Sequence, residues 1–292
     1  MKALLALLIL TLLRTAVFAA ELQVIDAHVH TSYTNDKNDT SAILYTRDGL
    51  LKEFESANVV GAVSMMSRTG TGYDSELLKK RVAFCVGISE SPDWNEIEAG
   101  LKSKKYSCIK IYLGYIHKFA SDVLYAPAYP LAEKYDVPVV FHTGDVWDKD
   151  GMIKYADPMT IDEIAVEHRK VTLVIAHCGN PWIETAAEVA FKNPNVYLDG
   201  SAFLVGDLTR YSNAELEEQM VKPLRWIFNY IENPKKLMFG TDWPLVHAEE
   251  YLQVFLRAIP PEHWNKVFHD NAIRVYKLNL PILDPDEDSS EK

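Results

Sequence analysis

The chain has 292 residues, 48% of them hydrophobic, and a formal net charge of −11. That is enough apolar material for one large core, which excludes a chain disordered throughout. The acidic balance repels phosphate backbones and anionic membranes, which argues against nucleic acid as a partner and leaves a small molecule as the expected one.

The first segment reads as an export signal. Lys2 precedes an apolar run over 3–13, and Val17 and Ala19 stand at the spacing of a signal-peptidase site. Cleavage after Ala19 would give residues 1–19 as a leader and a periplasmic or secreted product. The competing reading is a misassigned start and a cytoplasmic protein. The apolar run is short for a membrane span, and no other stretch resembles one.

Eight apolar, β-rich runs then follow at 22–28, 59–66, 81–88, 107–113, 137–143, 171–178, 195–201 and 236–242. Helix-like stretches separate them. Ser91-Pro92 and Asn180-Pro181 read as caps followed by proline at the first helical position, and Thr160 to Glu163 and Ser212 to Glu215 read as capping boxes. Strands that alternate with helices pair in parallel, and buried parallel strands are apolar on both faces. Eight such units predict an α/β fold, a (β/α)8 barrel over residues 20–280. An open doubly wound sheet is the alternative, weakened because no glycine-rich phosphate turn follows the first strand. The polar stretch 31–46 is expected to lie over the barrel mouth. Residues 281–292 read as a solvated acidic tail. Cys85, Cys108 and Cys178 are odd in number and irregular in spacing, so they read as buried small hydrophobes rather than a disulfide framework.

Polar residues recur where these runs end. Run one closes on Asp26-Ala27-His28-Val29-His30, run five on His142, run six on His177 and run eight on Asp242. Strand side chains alternate faces, so His28 and His30 point the same way. Barrel enzymes keep their chemistry at the C-terminal ends of strands, and a polar side chain there needs a partner. Imidazole and carboxylate together suit a borderline-soft divalent ion such as zinc.

This pattern resembles the metal site of the amidohydrolase superfamily, over roughly residues 22–278. It is most similar to the amidohydrolase-related branch that also contains decarboxylases and lactonases. Val137-Pro138-Val139-Val140-Phe141-His142-Thr143-Gly144, Ala176-His177-Cys178-Gly179-Asn180-Pro181-Trp182, Phe239-Gly240-Thr241-Asp242-Trp243-Pro244 and Asn271-Ala272 carry the likeness. The resemblance implies that His28, His30, His142 and Asp242 ligate one ion. His177 would then ligate a second ion or donate a hydrogen bond to substrate. Lys110 ends run four, where binuclear members carry a carboxylated lysine that bridges two metals. An unmodified lysine paired to a carboxylate is the other reading. TatD-like nucleases share the histidines and the aspartate but usually place glutamate at the position of Lys110.

The implied reaction is hydrolysis of a small-molecule amide, ester or lactone by a metal-activated water, with Asp242 as proton acceptor and His177 polarising the carbonyl. A decarboxylase on the same scaffold, a TatD-like nuclease and a non-catalytic binding protein are the alternatives. Substrate-facing candidates are Arg68, Tyr112, Tyr115, Asp145 and Trp243, with Asp199 and Ser201 on strand seven. His117 and His247 read as surface histidines, and His168, His263 and His269 as solvent-facing on helices. A homo-oligomer is compatible with all of this.

Overall fold

The computed structural model describes residues 22–283, so the expected leader and residues 284–292 lie outside the described residues. Eight strands form one sheet in sequence order, all parallel: β1 (Val24–Val29), β2 (Val59–Met65), β3 (Val82–Gly87), β4 (Cys108–Ile111), β5 (Val139–Phe141), β6 (Leu173–Ile175), β7 (Val196–Asp199) and β8 (Leu237–Met238). The sheet closes on itself. Ala27 N donates to Phe239 O at 3.0 Å, Asp242 N to His28 O at 2.8 Å and His30 N to Trp243 O at 2.8 Å. The buried Asp26 carboxylate completes the seam by accepting from Thr241 N at 3.0 Å and Thr241 Oγ1 at 2.6 Å. The (β/α)8 barrel predicted from the eight runs is therefore the fold, and the open sheet is excluded.

The main outer helices are α1 (Arg47–Ser56), α2 (Trp94–Lys102), α3 (Ala128–Tyr135), α4 (Thr160–Glu167), α5 (Ile183–Lys192), α6 (Lys222–Tyr230), α7 (Ala248–Leu256) and α8 (Asn271–Tyr276). Among the expected start signals, the Ser212–Glu215 capping box is present in full. The others differ. Asp93 caps α2 in place of Ser91, accepting from Asn95 N and Glu96 N, while Thr160 lies inside α4 and donates to Asp157 O. Asn180-Pro181 precedes a helix whose first residue is Ile183, with Trp182 at the cap position. None of the helices among the described residues is long and apolar enough to cross a membrane.

Two apolar layers follow from strand alternation. Outward residues pack under the helices, and inward residues such as Ile25, Val63, Val140, Val174 and Met238 fill the barrel. The floor, at the N-terminal ends of the strands, is closed by α8 with Leu278, Leu280 and Ile282. Leu283 N also donates to Asp270 Oδ1 at 2.9 Å. Residues 281–283, expected in the solvated tail, are thus tied to the barrel because Ile282 has apolar surface to bury. His269 is likewise wholly buried, paired with Asp270 Oδ1 at 2.8 Å, rather than solvent-facing. His168 lies half-buried against Tyr129, and His247 is bonded to Glu53.

The reading of all three cysteines as free thiols is corrected. The β3–β4 register sets Cys85 opposite Cys108, both inward, and they form a disulfide, while Cys178 stays free and buried. Spacing hid this, because a crossover helix separates neighbouring strands in sequence. The closed loop of 23 residues removes chain entropy from the unfolded state. Reduction, or Cys85→Ala with Cys108→Ala, is expected to lower unfolding stability by about 3 kcal/mol. Denaturant titration with and without reductant measures this. If thiol labelling of the denatured, unreduced protein finds three free thiols instead of Cys178 alone, the link is absent.

Candidate metal centre

Strand β1 carries an irregularity that decides where its histidines point. Asp26 pairs with Ala62 and Val29 with Ser64, so three steps on β1 face two on β2. This one-residue bulge flips the inward face of the strand. Ile25 and Ala27 point into the barrel below it, and His28 and His30 point into the mouth above it. Gly240 leaves the room that His28 needs, since a Cβ there would sit 3.0 Å from His28 Cβ.

Each of four histidines spends one ring nitrogen on a fixed partner. His30 Nδ1 lies 2.9 Å from Met65 O, and His142 Nε2 lies 2.9 Å from Asp145 O. A carbonyl oxygen only accepts, so these nitrogens carry the protons. His28 Nδ1 donates to Asp199 Oδ2 at 3.1 Å. Ser201 Oγ gives its proton to Asp199 Oδ1 at 2.5 Å, and so accepts from His177 Nδ1 at 2.9 Å. Burial would raise the Asp199 carboxyl, but His28, His177 and Ser201 hold it well below the carboxylate range. Burial pushes His177 down to about 4 and lowers His28 and His142, so these three rings are neutral at pH 7.

The opposite ring nitrogens of His28, His142 and His177 are therefore bare, and they converge with His30 Nε2 around Asp242. His30 Nε2 lies 2.9 Å and His28 Nε2 3.4 Å from Asp242 Oδ1, and His177 Nε2 lies 3.1 Å from His142 Nδ1. His28 Nε2 and Asp242 Oδ1 are buried with no aligned hydrogen bond. Burial would raise the Asp242 carboxyl, but the surrounding histidines hold it far below its ordinary value. Lone pairs facing one another at such distances repel, and a divalent cation among them turns that repulsion into ligation. The ligating atoms of His28, His177 and Asp242 lie within 4.8 Å of one another. A cation bound at about 2.0–2.2 Å spaces its ligands by roughly 3–4 Å, so the residues present fit such an ion.

The grouping differs in one respect from the reading by strand ends. His177 stands in the tight cluster with His28 and Asp242, whereas His30 joins through Asp242 and His142 through His177. The backbone explains it. His177, Cys178 and Asp242 adopt left-handed conformations, with φ of 59°, 45° and 64°, which aim the side chains inward after the strands end. Each costs roughly 1–2 kcal/mol for a residue with a Cβ. Asp199 Oδ1 accepting from His177 N at 3.1 Å and His28 O accepting from Asp242 N help to hold them.

Lys110 is wholly buried at the end of β4, and its Nζ has no hydrogen-bond partner. Burial pulls the amine down to about 8, opposed by the fields of Asp199 and Asp242. It makes no ion pair of the kind expected for an unmodified lysine.

A cavity of about 650 Å³ opens over the cluster, bounded by His30, His142, His177 and Asp242. Asn38, Asp39 and Thr40 of the long first loop line its rim, in the place expected for that loop. Tyr112, Tyr115 and Asp145 line it. Arg68 does not. It lies over the Tyr115 ring at 5.4 Å and 3.9 Å from Asp148, lining a side hollow of about 310 Å³ with His30 and both tyrosines. Trp243 is a correction. It is 1% exposed and packs on Tyr33 and Tyr45, because Val29 bridges to it and turns its ring into the seam. Asp199 and Ser201 are buried beneath His28 and His177 rather than facing substrate. The residues missed from sequence are Tyr45, Trp147, Phe203 and Tyr211 at the cavity wall, which come from separate loops and carry no common signal.

A family profile described as Amidohydrolase matches residues 25–278. No curated protein sequence matches the chain. Among solved structures, the chain is similar to a zinc-bound amidohydrolase from Burkholderia multivorans, at 19% identity and TM-score 0.65, covering 88% of this chain and 100% of that one. It is similar to a probable 2-pyrone-4,6-dicarboxylic acid hydrolase from Acinetobacter baumannii, at 14% identity and TM-score 0.62, with 88% and 100% covered. A 5-carboxyvanillate decarboxylase from Novosphingobium aromaticivorans, complexed with manganese, has 13% identity and TM-score 0.64, with 88% and 96% covered. At these identities the structures speak for the fold, whereas the profile spans nearly every described residue, and the chain belongs to the amidohydrolase family of enzymes.

Proposed function

We propose that the protein is a metal-dependent hydrolase that cleaves an amide, ester or lactone bond of a small molecule in the cavity over His28, His177 and Asp242. The observation that carries this reading is the convergence of bare acceptor atoms, with His28 Nε2 and Asp242 Oδ1 buried and unpartnered. His28, His177 and Asp242 would hold the ion, with His30 and His142 completing the donor set. A divalent cation there supplies Lewis acidity, which acidifies water and polarises a carbonyl. Asp242, whose carboxylate lines the cavity, takes the proton of the attacking water and returns it to the leaving group. His177, fixed through Ser201, orients the scissile carbonyl. Asp199 keeps the His28 proton on Nδ1 and so leaves Nε2 free.

Purified protein assayed for bound metal, then offered lactones, amides, esters and aromatic acids, tests the reading. Loss of activity on chelation and its return with zinc or manganese is the expected result. Carbon dioxide released from an aromatic acid, with no hydrolysis of the others, would replace it with a decarboxylase, a reading the decarboxylase fold neighbour favours.

We infer a one-cation centre with Lys110 as a free amine. Metal analysis should give about one ion per chain, and Lys110→Met should keep that content. Two ions per chain, with a mass increase on Lys110, would favour the carboxylated bridge instead. The disulfide inside the barrel also supports an oxidising compartment, consistent with export after the leader read at residues 1–19.

A further inference from the structure

The charges and rings around the main cavity differ sharply in character. Apart from histidines, its charged lining residues are Asp39, Asp145 and Asp242, and no lysine or arginine lines it. Six aromatic rings do: Tyr45, Tyr112, Tyr115, Trp147, Phe203 and Tyr211. Three of the phenol oxygens are engaged at the backbone. Tyr112 Oη donates to Met66 O at 2.7 Å, and Tyr45 Oη and Tyr115 Oη accept from Ser32 N at 3.0 Å and Trp147 N at 3.4 Å. Tyr112 has thus given its proton to the backbone and offers the cavity its ring, whereas Tyr45 and Tyr115 present their rings and keep a hydroxyl proton to donate. The wall begins at the ligands themselves, where Tyr115 meets the His142 ring edge-on at 4.9 Å. At the outer end Trp147 is 79% exposed, a large apolar side chain standing in water beside the opening. Apolar surface of that size gains from being covered.

We propose that this cavity receives an uncharged aromatic group, so that the substrate is an aryl amide, aryl ester or aryl-fused lactone with no anion at its ring end. The inference rests on the cavity being the substrate site of the hydrolase proposed above. A ring entering between Trp147, Phe203 and Tyr115 buries its faces against aromatic walls and meets no group that demands a charge. A carboxylate carried on that ring would lose water and meet the charges of Asp39 and Asp145 with no lysine or arginine in the cavity lining to balance it, because Arg68 lines the adjoining hollow, which shares His30, Tyr45, Tyr112 and Tyr115 with the cavity, and is already close to Asp148.

The test compares 4-acetamidobenzamide with 4-acetamidobenzoate, which share a shape and differ in charge at the ring end. Binding is followed by calorimetry and by tryptophan fluorescence, in metal-stripped and metal-loaded protein. The neutral probe should bind roughly 10- to 100-fold more tightly than the carboxylate, the range for leaving a buried polar group unpaired. Trp147→Ala should weaken the neutral probe by about 10-fold and Trp147→Phe should restore most of it. Equal or tighter binding of the carboxylate, above all if Arg68→Ala abolishes it, would overturn the proposal. So would a Trp147→Ala protein that binds the neutral probe like the parent, or a parent that binds neither probe at millimolar concentration. If the neutral probe binds as expected while metal-loaded protein hydrolyses no amide, ester or lactone, the hydrolase reading fails and the aromatic site stands. If aliphatic esters turn over and the aryl probes do not bind, the reverse holds.

Discussion

Asp242→Asn is expected to cut turnover by roughly two to four orders of magnitude at full metal occupancy, the usual range for losing a general base. The substitution keeps the shape of the side chain and one oxygen able to ligate. It removes the negative charge and the ability to take a proton. The surroundings make the loss specific, because Asp242 Oδ1 lies 2.9 Å from His30 Nε2 and 3.4 Å from His28 Nε2, and its backbone is pinned to His28 O. Metal should be retained at reduced affinity. His28→Ala is the contrast, since it deletes a bare nitrogen from the tight cluster and should lower metal content and turnover together. Occupancy and rate must be read in the same samples at saturating metal. An Asp242→Asn enzyme that turns over like the parent when fully loaded would remove Asp242 as the base and make His177 the next residue to test.

Asp199→Asn is expected to weaken metal binding about 10- to 100-fold, although the residue contacts neither the ion nor the cavity. The Asp199 carboxylate accepts from His28 Nδ1 through Oδ2, and from Ser201 Oγ, Ser201 N and His177 N through Oδ1. An amide cannot accept at both ends. If its oxygen keeps the contacts of Oδ1, its NH2 group faces His28 Nδ1, and the His28 proton must move to Nε2. That places a hydrogen where a ligand lone pair is needed. Competition with a chromogenic chelator measures the affinity, and nitrogen NMR of the histidines reads the tautomer directly. Unchanged affinity with His28 still protonated at Nδ1 would show that Asp199 only fills space.

Much of the centre was legible as polar residues at the ends of apolar runs. Asp199 carried that same signal after Val196, Tyr197 and Leu198, but a strand-end carboxylate looks alike whether it faces the cavity or lies beneath a ligand. The choice between them depends on which neighbour it meets across the sheet, here His28 of β1 at a separation of 171 residues. Trp243 misled for the converse reason. It follows a ligand directly, yet the turn that aims Asp242 inward sends the next side chain into the seam against Tyr33 and Tyr45.

The sequence by itself determined the barrel, through eight apolar runs of strand length spaced by helix-length segments, and it marked His28, His30, His142, His177 and Asp242 through their places at run ends. Those are local properties, set by strand alternation and by the cost of burying polar groups without partners. Only the tertiary structure decided which face of β1 the two histidines occupy, because the bulge between Asp26 and Val29 exists only in the register with β2. It alone joined Cys85 to Cys108, put Asp199 behind His28, and drew the aromatic wall from separate loops. Each of these depends on contacts between residues far apart in the chain, which no period along the sequence encodes.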